Sequence, residues 1–224
     1  MKARVFQLID LDRTLFNTSK FTKLITNGVD KLTPGLGAEL DQHFEAAYKQ
    51  GETFFVLRHL REQYGDDWFE ALVADIIDTH GAEAFLLPGF KERLAFAEAY
   101  SAAHPGWGIL TYGDLQDQTI KLRIAGLDTA PVLLTDTPDK GAIIASWQLE
   151  DGTYHLPGAF GDQIVDSVTF EDDKLRAFYD MPKNATGVWI TQDPQAKERI
   201  TEAGFTNVVP AQDLFASIES IKNI

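Results

Sequence analysis

The chain has 224 residues, enough for one large core or a core plus a smaller second domain. Its 34 acidic against 20 basic residues give a net charge of −14, which disfavours a nucleic-acid-binding surface, and the absence of cysteine removes disulfides, thiolate zinc sites and cysteine nucleophiles. The N-terminal run MKARVFQLID breaks at Asp10, too early for a signal peptide, and no stretch approaches the roughly 20 apolar residues of a membrane span, so a cytoplasmic protein without membrane contact is expected.

The first β-rich run is RVFQLI (4–9), and it stops at two aspartates one residue apart, Asp10 and Asp12. Residues 18–87 then hold only helical patterns, at about 37–50, 53–64 and 67–80. LLPGF (86–90), with Pro88 and Gly89, reads as a return hinge. From there short β runs alternate with helical patterns. WGILT (107–111) precedes DLQDQTIKLRIAG (114–126), which Gly126 should end. APVLLT (130–135) precedes PDKGAIIASWQL (138–149), with Pro138 at a helix start. The Gly-rich segment 150–165 suggests a hairpin or an excursion before the fourth strand. DSVTF (166–170) precedes DDKLRAFYDM (172–181), GVWIT (187–191) precedes DPQAKERITEAG (193–204), and NVVP (207–210) precedes a closing helical pattern (211–223). Such alternation predicts an α/β fold, a parallel sheet with helices on both faces. The expected organisation is a core of residues 1–17 and 88–224, with a helical cap of residues 18–87.

In open parallel sheets, ligands bind beyond the carboxyl ends of the strands. Those ends carry Asp10 and Asp12 on the first strand, Thr111 on the second, Lys140 after the third, and Glu171-Asp172-Asp173 on the fourth. Taken singly, each is an ordinary turn, cap or strand residue. Together they are hard carboxylate oxygens around one ammonium and one hydroxyl, without Cys or His, and that donor set favours Mg²⁺.

At these residues the sequence resembles the haloacid dehalogenase (HAD) superfamily. LIDLDRTLFNT is similar to its first motif, an apolar strand followed by Asp-x-Asp-x-Thr. ILTYGDLQDQTIKLRIAGL resembles the second motif, TDTPDKG the Lys-bearing third, and VTFEDDK the acidic fourth, all in the family's order. The resemblance implies a Rossmann-like HAD core with an inserted helical cap. It implies a Mg²⁺-dependent phosphatase of a small phosphorylated metabolite, working through an aspartyl-phosphate.

Carried onto this chain, Asp10 would be the nucleophile and Asp12 the general acid, then the general base. Thr111 would bond phosphoryl oxygens, and Lys140 would neutralise charge on nucleophile and phosphate. Tyr112 and Gly113 would join Thr111 and Lys140 in contacting substrate. Mg²⁺ would sit among Asp10, the backbone carbonyl of Asp12, Asp172 and Asp173, with Glu171 continuing the strand and facing away. Tyr112 stands where many relatives carry Asn, and Arg13 where many carry Gly. The alternatives are a phosphomutase, which shares the first half-reaction, and a catalytically idle binding protein of the same fold. The substrate, the oligomeric state and any substrate contact of Arg58 or Arg61 are not legible.

The remaining patterns are weaker. Arg58, Arg61, Lys20 and Lys23 read as solvated charges rather than substrate contacts. Phe54, Phe55, Trp68 and Phe69 read as cap core. His43, His59, His80, His104 and His155 lack metal-ligand spacing. GLGAEL (35–40) follows no strand and lacks the third glycine of a dinucleotide site.

Overall fold

The computed structural model describes residues 4–50, 54–100 and 106–223. In chain order the elements are β1 (Val5–Ile9), α1 (Thr18–Leu32), α2 (Leu36–Gln50), α3 (Val56–Tyr64), α4 (Asp66–His80), α5 (Phe90–Tyr100), β2 (Trp107–Tyr112) and α6 (Leu115–Ala125). They continue with β3 (Val132–Thr135), α7 (Lys140–Ser146), β4 (Tyr154–His155), β5 (Ile164–Val165), β6 (Ser167–Asp172), β7 (Thr186–Ile190), α8 (Ala196–Glu202), β8 (Val208–Ala211) and α9 (Leu214–Lys222).

The chain divides into two compact units. One takes in Met1–Leu15, Leu87–Tyr112 and Thr129–Ile224; the other takes in Phe16–Leu86 and Gly113–Asp128. The first unit holds a six-stranded, wholly parallel sheet in the order β3-β2-β1-β6-β7-β8. Strand order departs in opposite directions from β1 and β6, so the crevice between their carboxyl ends is the topological switch point where such sheets bind ligands. Both faces are covered, and β7 shows how. Trp189 packs in a core with Ile144, Ala196 and Ile200 of α7 and α8, whereas Val188 packs in another with Phe96, Tyr100 and Ile221 of α5 and α9. The alternation follows from the period of two along a strand. Segment 150–165 does form the expected hairpin, with β4 antiparallel to β5.

In the second unit, α1 presents Phe21, Ile25 and Val29 inward at helical spacing, and α4 presents Phe69, Leu72, Val73 and Ile76. Gly28 lets the two helices close up, since a Cβ there would meet Leu72 at 2.8 Å. Phe69 is core as expected, while Phe54, Phe55 and Trp68 are only partly buried. Helix α6 is tied to this unit by Arg58–Asp114 at 3.5 Å, Arg61–Asp117 at 3.8 Å and Arg123–Glu70 at 2.7 Å. Arg61 is therefore not a solvated charge: its side chain is 10% exposed and lies over the Phe69 ring. Arg58 is half exposed, over Phe55.

Several expectations need correction. Two helices lie where no pattern was legible. In α1, Gly28 and five hydroxyl- or amide-bearing residues dilute the periodicity. In α5, an arginine occupies a buried position, Arg93 being 0% exposed. The helix expected over 172–181 is only a short 3-10 helix at Leu175–Phe178, because β6 runs on through Asp172 and Pro182 ends the space behind it. The helix expected over 138–149 is limited to Lys140–Ser146, and that over 193–204 to Ala196–Glu202. The expected start at Thr53 and His104 lie outside the described residues.

Candidate active site

Four strand ends build the site. The chain leaves β1 at Ile9, and the Asp10 N–H donates to the carbonyl of Glu171 on β6 at 2.9 Å, which fixes the first carboxylate at the switch point. The turn that follows needs a left-handed residue, and Arg13 supplies it with φ of 61°. That conformation costs a non-glycine residue about 1 kcal/mol, a physical reason for the glycine common at this place in the resembled motif. The turn closes with the Leu15 N–H on the Leu11 carbonyl at 3.0 Å, leaving Asp12 half-buried beside Asp10.

Past β3, the hydroxyl of Thr135 donates to the carbonyl of Thr137 at 2.7 Å, and the Asp139 N–H donates to Thr137 Oγ1 at 3.2 Å. This folded turn delivers Lys140 into the first turn of α7, almost fully buried at 5% exposure. Its ammonium donates to Asp10 Oδ1 at 2.5 Å and to Asp172 Oδ2 at 2.6 Å. The other oxygen of Asp172 accepts the Lys174 N–H at 2.7 Å. Asp10, Asp172 and Asp173 can each offer a carboxylate oxygen within 4.8 Å of the others, a group able to hold a metal ion. Hard oxygens at this spacing, with no nitrogen or sulfur among them, suit a cation of the Mg²⁺ type.

The electrostatics follow from burial. Desolvation pushes Asp10 up to about 7; the Lys140 charge opposes this, and Asp172 and Asp12 reinforce it. Asp172 is also raised by burial, against the pull of Lys140. Asp173 is pushed up to about 6 by burial and by Asp10, with Lys174, Arg13 and Lys140 opposing. Burial disfavours the charge on Lys140, but Asp10 and Asp172 more than offset it and its pKa is raised. One buried ammonium thus faces more negative charge than it can neutralise.

The site opens into a cleft lined by Asp10, Asp12, Tyr112, Pro138, Lys140, Asp172, Lys174, Arg176 and Ala177. Of the residues singled out in the sequence, Asp10, Asp12, Tyr112, Lys140 and Asp172 line this cleft, and Asp173 joins Asp10 and Asp172 in the carboxylate group. Thr111, near the end of β2, is fully buried, and its hydroxyl has no hydrogen-bond partner among the described residues. Gly113 falls in the segment grouped with the helices, and is not among the lining residues. Glu171 turns from the site: its carboxylate pairs with Arg93 and accepts from Ser217 Oγ at 2.7 Å. Sequence reasoning missed Lys174 and Arg176. The available signal was two cations directly behind the acidic run in EDDKLR.

No protein-family model and no curated protein sequence matches the chain. Solved structures match along nearly its whole length. A haloacid dehalogenase-like hydrolase of Burkholderia xenovorans is 19% identical, with 96% of this chain and 95% of that one covered and a TM-score of 0.63. A HAD-hydrolase of Bacillus subtilis bound to magnesium is 15% identical, with both chains fully covered and a TM-score of 0.54. A Thermotoga maritima protein named as a β-phosphoglucomutase is 14% identical, again with full coverage of both, at a TM-score of 0.51. The chain has the haloacid dehalogenase superfamily fold. No helix among the described residues is long and apolar enough to cross a membrane.

Proposed function

We propose that this chain is a Mg²⁺-dependent phosphatase that hydrolyses a small phosphomonoester through an aspartyl-phosphate on Asp10. The observation that carries the reading is the buried Asp10–Lys140–Asp172 arrangement, opening on a cleft that Asp12 also lines. Ionised Asp10 attacks phosphorus, the P–O bond to the leaving group breaks, and Asp12 gives its proton to the departing oxygen. Water then passes a proton to Asp12 and attacks the same phosphorus, which releases inorganic phosphate and restores the Asp10 carboxylate. Lys140 holds Asp10 in place and neutralises phosphoryl oxygens, and the Thr111 hydroxyl, without a hydrogen-bond partner among the described residues, would donate to them. Asp10, Asp172 and Asp173 would hold Mg²⁺ with the backbone carbonyl of Asp12. Bound there, the ion supplies positive charge to the transferring group and favours the ionised form of Asp10.

Release of phosphate from a generic aryl phosphate tests the reading, with Mg²⁺, with chelator, and with Asp10→Asn. Turnover that needs Mg²⁺ and disappears in the variant supports it. Mg²⁺ binding without turnover, but with phosphoryl exchange between sugar phosphate positions, would favour a phosphomutase. Neither turnover nor Mg²⁺ binding would leave an idle binding protein.

A further inference from the structure

The 3-10 helix at Leu175–Phe178 stands where sequence periodicity predicts a full helix, and the consequence falls on two cations. Ala177 and Phe178 point into the core at 3% and 0% exposure, with the Phe178 ring 5.3 Å from that of Phe170. Phe178 and Ala177 thereby anchor a turn whose other face carries Lys174 and Arg176, both exposed and both lining the cleft. The turn is also wedged against the first turn of α7. A Cβ at Gly141, next to Lys140, would run into the carbonyl of Tyr179, so only glycine allows this approach. Arg176 is thus presented from a rigid base to the same cleft that holds Asp10 and Lys140.

Among the described residues the Arg176 guanidinium makes no hydrogen bond and no ion pair; only the Arg176 carbonyl is engaged, by the Tyr179 N–H at 3.2 Å. Lys174 is held through its backbone, its N–H donating to Asp172 and its carbonyl accepting from the Ala177 N–H at 3.0 Å, while the charge of its side chain acts on Asp173. In a chain with 14 more acidic than basic residues, an arginine held at the mouth of an acidic cleft, with no ion pair among the described residues, is placed to meet an anionic ligand. A guanidinium's fork matches the two oxygens of a carboxylate or a phosphoryl group.

We infer that Arg176, with Lys174 beside it, selects a substrate bearing a second anionic group besides the phosphoryl group that Asp10 attacks. The inference rests on the phosphomonoester reading and narrows it to doubly anionic esters, the second group being a carboxylate or a further phosphoryl group. Arg176 is here a specificity determinant that stays outside the bond-making steps.

Non-hydrolysable phosphonates test this without depending on turnover. Binding to the Mg²⁺-loaded protein is measured by calorimetry for alkylphosphonates, ω-phosphonoalkanoates and alkane bisphosphonates of matched chain length. The expected result is tighter binding of one charged series than of the alkylphosphonates by about tenfold or more, roughly one good charge-assisted contact. Arg176→Ala should abolish that preference, and Arg176→Lys should retain part of it. Whether the carboxylate or the bisphosphonate series gains identifies the second anion. Equal affinity for all three series, or a preference that survives both Arg176→Ala and Lys174→Ala, would overturn the inference. No binding of any series, alkylphosphonates included, would overturn the phosphomonoester reading itself.

Discussion

Two buried charge clusters lie within one residue of each other along β6, and they differ in balance. At Glu171, one carboxylate meets one guanidinium: Arg93 grips both oxygens through Nε, at 2.8 and 3.1 Å, and Ser217 adds a hydroxyl. At Asp172, one ammonium meets Asp10 and Asp172 together, with Asp173 close by. The first cluster matches one charge with one charge, although Arg93 Nη1 finds no hydrogen-bond partner among the described residues. The second is short of positive charge, and burial makes that shortage expensive, which is why Asp10, Asp172 and Asp173 all titrate high. Strand alternation sends neighbouring residues to opposite faces, so a single strand supplies a structural clamp on one side and the acidic cluster on the other.

The sharpest way to break the comparison is to remove one charged side chain from each cluster. Asp10→Asn should lower aryl phosphate turnover by a thousandfold or more, because it removes the proposed nucleophile, while the protein stays folded by circular dichroism. Arg93→Met should act the other way, leaving Glu171 buried without its cation. Chemical denaturation should report a loss of about 3–5 kcal/mol, the usual consequence of breaking a buried pair by removing one partner.

A pH series on the metal-free protein gives a smaller effect. With Asp10 at about 7 and Asp173 at about 6, against 3.8 for each when unfolded, the native state holds more protons than the unfolded chain between those values. As far as these groups decide it, stability should therefore be greatest at about pH 4 and below, and fall as pH rises to about 7. Thermal melts should show that fall, and saturating Mg²⁺ should reverse it at neutral pH. The smallest expected change is at Arg13, where φ is 61°. Arg13→Gly should relieve strain and raise unfolding free energy by up to about 1 kcal/mol.

The parallel sheet was legible because its strands are short apolar runs punctuated by Gly, Pro and Asp, and Gly126 ends α6 in the left-handed conformation that its place in the sequence suggested. Asp10, Asp12, Lys140 and Asp172 were legible because each follows or ends a strand, and strand ends of a parallel sheet converge. Helix α5 was not, since Arg93 sits on its buried face and only the partner Glu171, 78 residues away, makes that position tolerable. Nor was the short turn bearing Arg176: a local pattern cannot report that β6 extends through Asp172, or that Tyr179 crosses close over Gly141. The burial of Arg61 against Asp117 has the same origin, a partner brought in from a distant segment.

The most direct test of the charge shortage at Asp10, Asp172 and Asp173 is calorimetric titration of Mg²⁺ into the metal-free protein near pH 6.5, repeated in buffers of different ionisation enthalpy. Carboxylates that hold protons must release them to take up the cation, so the account predicts Mg²⁺ binding with net proton release, with less release in Asp10→Asn. Absence of Mg²⁺ binding, or binding whose heat is the same in every buffer, would contradict it.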